Sequence, residues 1–214
     1  FFFVPDPAVR PPRPVRLGVA YRNVIATLRG IGDYAGVGMF ILATVLYTDA
    51  ANTAIANTAL YGQQVFGMES AQTTNLLLFS TVFAIVGSVG LGFASDRAGP
   101  KSTLAAVLVL WLVAIMLAAG AVAPWMLFAA GPLVGISLGG TWTVSRVMLV
   151  ALAPPEKVGE LFGLFSLAGK VSAVAGPAIT ALILFLLEET IGTVAYRIAM
   201  GSLAVVIVLG LFLL

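Results

Sequence analysis

The sequence predicts an all-α membrane protein with six transmembrane helices. Three observations lead there. Six long apolar stretches fill most of the 214 residues. Charged residues make up only 9% of the chain, against about 25% in soluble domains, too few to cover a water-facing surface. The basic residues that flank the stretches gather on one side once six helices alternate. Continuous apolar runs also argue against a membrane β-barrel, whose strands alternate with period two.

Residues 1–35 precede the first stretch. Phe1–Phe3 read as the end of an earlier apolar helix. Residues 5–14 hold five prolines, which favours an extended linker. From Val15 the pattern turns helical: Leu17, Tyr21, Val24, Leu28 and Ile31 recur on one face, with Arg16, Arg22 and Arg29 largely elsewhere. Such a helix either lies on an anionic inner leaflet or packs against the cytoplasmic loops.

The six predicted spans follow as 36–61, 71–95, 102–124, 125–153, 161–187 and 198–214. A spanning helix needs about 20 apolar residues, which the first five supply. The sixth stops with the chain at Leu214, and a fragment or a truncated gene is the expectation. Arg10, Arg13, Arg16, Arg22, Arg29, Arg97, Lys101 and Lys157 fall on one side, and Arg197 with Glu69, Glu188 and Glu189 on the other. Positive residues mark the cytoplasmic face, so residues 4–35 are expected there, in a bacterial cytoplasmic membrane. Tyr61, Trp125 and Tyr196 are expected at the outer headgroup level.

Small residues suggest how the helices pack. Gly131, Gly135 and Gly139 form a small-xxx-small row on the fourth span, which permits close helix approach. Gly176-Pro177 is expected to kink the fifth span and free a carbonyl.

Three ionisable residues lie inside spans, each costing about 2.5–3.5 kcal/mol at the bilayer centre. Asp49 shares a face with Asn52 and Thr53 on the first span. It is read either as a site for a proton or a substrate amine, or as half of a fixed ion pair with Lys170 or with a missing half. Arg146 follows Trp142 by one turn, beside a stripe of Ser137, Thr141 and Ser145. A Trp–Arg stack would hold a carboxylate, but proximity to the cytoplasmic end favours a gating pair with Asp96. Lys170 lies about 15 Å into the fifth span at 1.5 Å per residue, and would neutralise Asp49 or contact a solute.

Several function classes fall away. With no cysteine and no histidine, thiolate chemistry is absent and the commonest general base and metal ligand is missing. No carboxylate pair at useful spacing appears, so no enzymatic activity is expected. No metal or other cofactor is expected. No phosphate-binding glycine-rich loop occurs, which argues against ATP as the energy source. The basic pI reflects loop charge, and no nucleic-acid partner is expected. The expected partners are the lipid bilayer and a small polar solute.

Between the second and third spans lies Gly92-x-x-x-Asp96-Arg97-x-Gly99-x-Lys101. This resembles the signature loop of the major facilitator superfamily, which joins the second and third helices of each six-helix half. Its glycines are expected to make a tight turn, and its charges ion pairs that hold one conformational state. A finer resemblance covers nearly the whole chain. Leu46-Tyr47-Thr48-Asp49-Ala50-Ala51-Asn52-Thr53, Tyr61-Gly62, Ala153-Pro154-Pro155-Glu156 and the run Glu160 to Lys170 look like the carboxy-terminal half of its vacuolar-effluxer-like branch.

That resemblance implies two inverted three-helix repeats, with residues 4–35 as the central loop of a twelve-helix transporter. It implies a missing amino-terminal half, or a second copy, as the other wall of the substrate path. It also implies efflux of a small polar solute, with amino acids as the class. The alternative is a non-transporting membrane scaffold or receptor-like bundle that binds partner helices.

Overall fold

The computed structural model describes residues 36–214, and within them six α-helices in chain order. They are α1 (Val37–Phe66), α2 (Ser70–Ala98), α3 (Pro100–Ala119), α4 (Pro124–Leu152), α5 (Val158–Ile191) and α6 (Val194–Leu213). Each is long and apolar enough to cross a membrane. The predicted linker, its amphipathic helix and the Phe1–Phe3 segment lie outside the described residues.

The helix ends follow from local chemistry. Gly67 ends α1 with φ +64°, its N–H turned back to the Gln63 carbonyl. Glu69 and Gln72 then form a reciprocal capping box at the start of α2. A single residue, Gly99, separates α2 from α3. Its φ of +84° is open to glycine, and Pro100 supplies a preset first helical residue. The signature segment is therefore mostly helix. Gly92 sits within α2 rather than in a turn, and a methyl group there would rest at ordinary contact distance, 3.6 Å from Thr143.

Packing divides the bundle into two groups. α1 packs on α5 and α6, α4 packs on α2 and α3, and α3 meets α6 between them. The α2–α4 interface is the most extensive. A Cβ at Gly135 would lie 2.0 Å from the Ser80 carbonyl, and one at Gly139 2.0 Å from the Ala84 carbonyl. These positions let the two backbones touch, which lipid-embedded helices need because no hydrophobic force draws them together. The deepest core gathers Phe40, Tyr47, Trp111, Leu149 and Ile207 from four helices. α2 and α5 leave apolar rows uncovered, including Val82, Ile85 and Val86 on α2 and Val174, Leu182 and Phe185 on α5.

Two of the aromatics expected at the outer end are engaged by the protein. Tyr61 is buried and its hydroxyl donates to the Ala118 carbonyl at 2.9 Å. Tyr196 is buried and donates to Glu188 at 2.7 Å. Both hydroxyls are bonded near helix ends. Trp125 remains exposed.

Gly139→Leu should force α2 off α4 and destabilise the bundle by about 1–3 kcal/mol or more. Gly90→Ala, where nothing lies within 4 Å, should be neutral or stabilising. Thermal unfolding of the two detergent-purified variants checks the contrast, and equal melting temperatures would refute it.

Candidate functional site

A polar seam joins α1 to α5. Asp49, Thr53 and Asn57 recur at four-residue spacing, so they share one face of α1. Gly176 and Thr180 do the same on α5. The Gly176 backbone N–H donates to Asp49 Oδ1 at 2.7 Å, and Asn57 Nδ2 donates to Thr180 Oγ1 at 3.3 Å. Gly176 is small for a reason: a Cβ there would fall 2.0 Å from Thr53 Oγ1 and 2.8 Å from Asp49 Oδ2. Asp49 is 5% exposed and Thr53 fully buried. The Thr53 hydroxyl has no hydrogen-bond partner. Asn52 lies off this stripe and is half-buried. α5 continues through Gly176-Pro177 as one helix.

A second feature opens between α1, α4 and α5. It is an open recess of about 600 Å³, the space at its mouth included, whose polar lining includes Thr44, Thr48, Thr141, Ser145, Arg146 and Ser166, with Trp142 and Phe165 as aromatic walls. Behind it, Tyr47 is completely buried and its hydroxyl bonds both Thr44 Oγ1 (2.9 Å) and Ser145 Oγ (2.8 Å). Trp111 Nε1 donates to Thr141 at 3.0 Å. The Thr44 and Ser145 hydroxyls are thus both tied to Tyr47, and the Thr141 hydroxyl to Trp111.

The structure brings Trp142 and Arg146 together at the recess and leaves both exposed. They do not stack. Among the described residues the cation–π pair is Arg197 over Phe66, at 5.7 Å. Asp49 is absent from the recess lining, because its carboxylate is turned to Gly176. Lys170 is exposed and outside the lining. Among the described residues the one ion pair is Lys157–Glu160 at 2.9 Å.

The expected pairs Asp49–Lys170 and Arg146–Asp96 are therefore not formed. Asp49 takes a backbone N–H instead, and Arg146 faces the recess. Asp96, Arg97 and Lys101 are exposed and unpaired within the described residues, at helix ends where water weakens such pairs.

At the opposite end, Arg197 donates to the carbonyls of Ala119 and Ala121. A cation there complements the negative end of α3. Reading the sequence missed this cap, the Tyr47 network and Asn57 with Thr180. The four-residue spacing of Asp49, Thr53 and Asn57 was a usable signal for the seam. Nothing in the sequence marked Arg197 as the partner of α3.

Six helices long and apolar enough to cross a bilayer make this an integral, multi-pass membrane protein. The solved proton:xylose symporter XylE shares the fold, with a TM-score of 0.69 at 18% identity over 85% of this chain and 44% of that one. The chain belongs to the vacuole effluxer Atg22-like family, which it matches over residues 6–214. It is 25% identical to the MFS-type transporter YxiO of Bacillus subtilis, over 91% of this chain and 44% of that protein. It is likewise 25% identical to autophagy-related protein 22 of Pichia angusta, over 77% and 31%. The chain spans less than half the length of these relatives.

Tyr47→Phe should cost about 0.5–1.5 kcal/mol for each hydrogen bond lost. Combined with Ser145→Ala, the loss should fall short of the sum of the single effects. A double-mutant cycle by thermal unfolding measures that coupling, and strict additivity would show that the α1–α4 bond contributes nothing.

Proposed function

We propose that this chain is one six-helix half of a secondary active transporter that moves a small polar solute by alternating access. The observation that carries the reading is the hydroxyl-lined recess with an unpaired Arg146 at its edge. A cation exposed within an apolar span is costly unless a ligand or a water-filled path receives it. Hydroxyls and a guanidinium suit a carboxylate-bearing solute, with Trp142 and Phe165 flanking its less polar part. Amino acids fit this description, and the effluxer-like family and the relatives' names favour export. Such a chain has no enzymatic role.

The grouping of α1 with α5 and α6, and of α4 with α2 and α3, supports two inverted three-helix repeats. Each first helix packs on the second helix of one repeat or the other in a reciprocal way. The open side of the recess and the uncovered rows of α2 and α5 suit a second six-helix half, in line with relatives more than twice as long. The basic loops then place residues 4–35 and the Asp96-Arg97 turn in the cytoplasm, with the chain in a bacterial cytoplasmic membrane. In this reading Asn52 and Lys170 serve the wider path and not the recess itself. Asp49 serves coupling and not the solute.

In proteoliposomes carrying the intact transporter, Arg146→Gln should raise the solute concentration for half-maximal flux by about ten- to a hundredfold, the loss of one charge-assisted hydrogen bond of roughly 1.5–3 kcal/mol. Asp49→Asn should abolish ion coupling. Flux indifferent to both changes would sink the site assignment, and no flux at all under any gradient would favour the scaffold reading.

A further inference from the structure

We propose that Asp49 and Thr53 form a binding site for one small monovalent metal cation, Na⁺ or Li⁺. The proposal rests on the transporter reading only for its use, since an ion bound there would couple its gradient to the solute. Binding itself can be tested alone.

Among the described residues Asp49 is the one buried carboxylate. An ionised carboxylate taken out of water needs an opposite charge. The Gly176 N–H gives Oδ1 a hydrogen bond but no net charge. Among the described residues no side-chain cation supplies it: Arg146 and Lys170 are exposed, and neither pairs with Asp49. The seam therefore needs a mobile cation, either a proton or a metal ion.

Thr53 decides between them. Its side chain is completely buried, and its oxygen has no hydrogen-bond partner. Thr53 Oγ1 and Asp49 Oδ2 lie 2.0 and 2.8 Å from one point beside Gly176, so they are within about 5 Å of each other. They are not hydrogen-bonded to each other. Ca²⁺, close in size to Na⁺, binds oxygen at about 2.3–2.6 Å, so a single Na⁺ can touch both atoms. One carboxylate and one neutral hydroxyl balance a single positive charge, which sets this site apart from those for divalent ions.

The test uses the full protein in detergent, at a pH where carboxylates are ionised. NaCl or LiCl replaces choline chloride or KCl at constant ionic strength. Thermal unfolding and bound ²²Na⁺ are followed together. Wild type and Thr53→Ser should show a saturable rise in melting temperature with Na⁺ or Li⁺ and retain ²²Na⁺. Thr53→Val, close in shape but without the hydroxyl, should bind at least about tenfold more weakly, and Asp49→Asn should lose binding.

Three results would overturn the site: equal stabilisation by Na⁺ and choline, equal stabilisation by K⁺, or unchanged affinity in Thr53→Val. The serine and valine pair keeps the test decisive where Asp49→Asn fails to fold. Arg146-dependent solute binding with no ²²Na⁺ retained would sink the ion site and spare the recess. Na⁺ binding with Arg146-independent solute binding would do the reverse.

Discussion

Lipid offers backbone groups no hydrogen-bonding partner, and it does not push apolar helices together. Both facts shape this bundle. Every span must satisfy its own N–H and C=O groups, so it is helical from end to end. Cohesion must then come from contact and from polar bonds between helices. The α2–α4 interface uses contact, with Gly135 and Gly139 bringing backbones against Ser80 and Ala84. The α1–α5 interface uses polar bonds, through Asp49 to Gly176 and Asn57 to Thr180.

The buried polar groups share a habit. Asp49, Tyr61 and Arg197 each take a backbone atom of another helix as partner. A backbone atom cannot swing away, so each of these bonds fixes the position of one helix against another. Arg197 also meets the carbonyl end of α3, where a positive charge is favoured. Tyr47 instead binds side chains, Thr44 and Ser145, and so ties α1 to α4 where direct packing between them is slight. The Tyr47 bonds lie behind the recess and hold its rear wall while the front stays open.

The candidate residues sort into two places that the linear order does not separate. Thr48 lines the recess and Asp49, its neighbour, turns to α5. On a helix, successive residues point about 100° apart, so adjacent positions serve different surfaces. The charges read as partners in the sequence, Asp49 with Lys170 and Arg146 with Asp96, have complementary signs and plausible depth. Sign and depth do not fix azimuth, and in the folded bundle each faces elsewhere.

Composition and the length of the apolar runs were enough to establish a six-helix membrane bundle, because a bilayer tolerates so few alternatives. The Gly92–Lys101 segment, together with the matches around Asp49 and Glu160, was enough to point to the transporter family. Which groups meet was settled only by tertiary structure. That Gly176 presents its N–H to Asp49, that Thr53 is left without a partner, and that Arg197 closes α3 all depend on how helices distant in the chain are rotated against one another. Helical periodicity specifies a face, and only packing decides what that face meets.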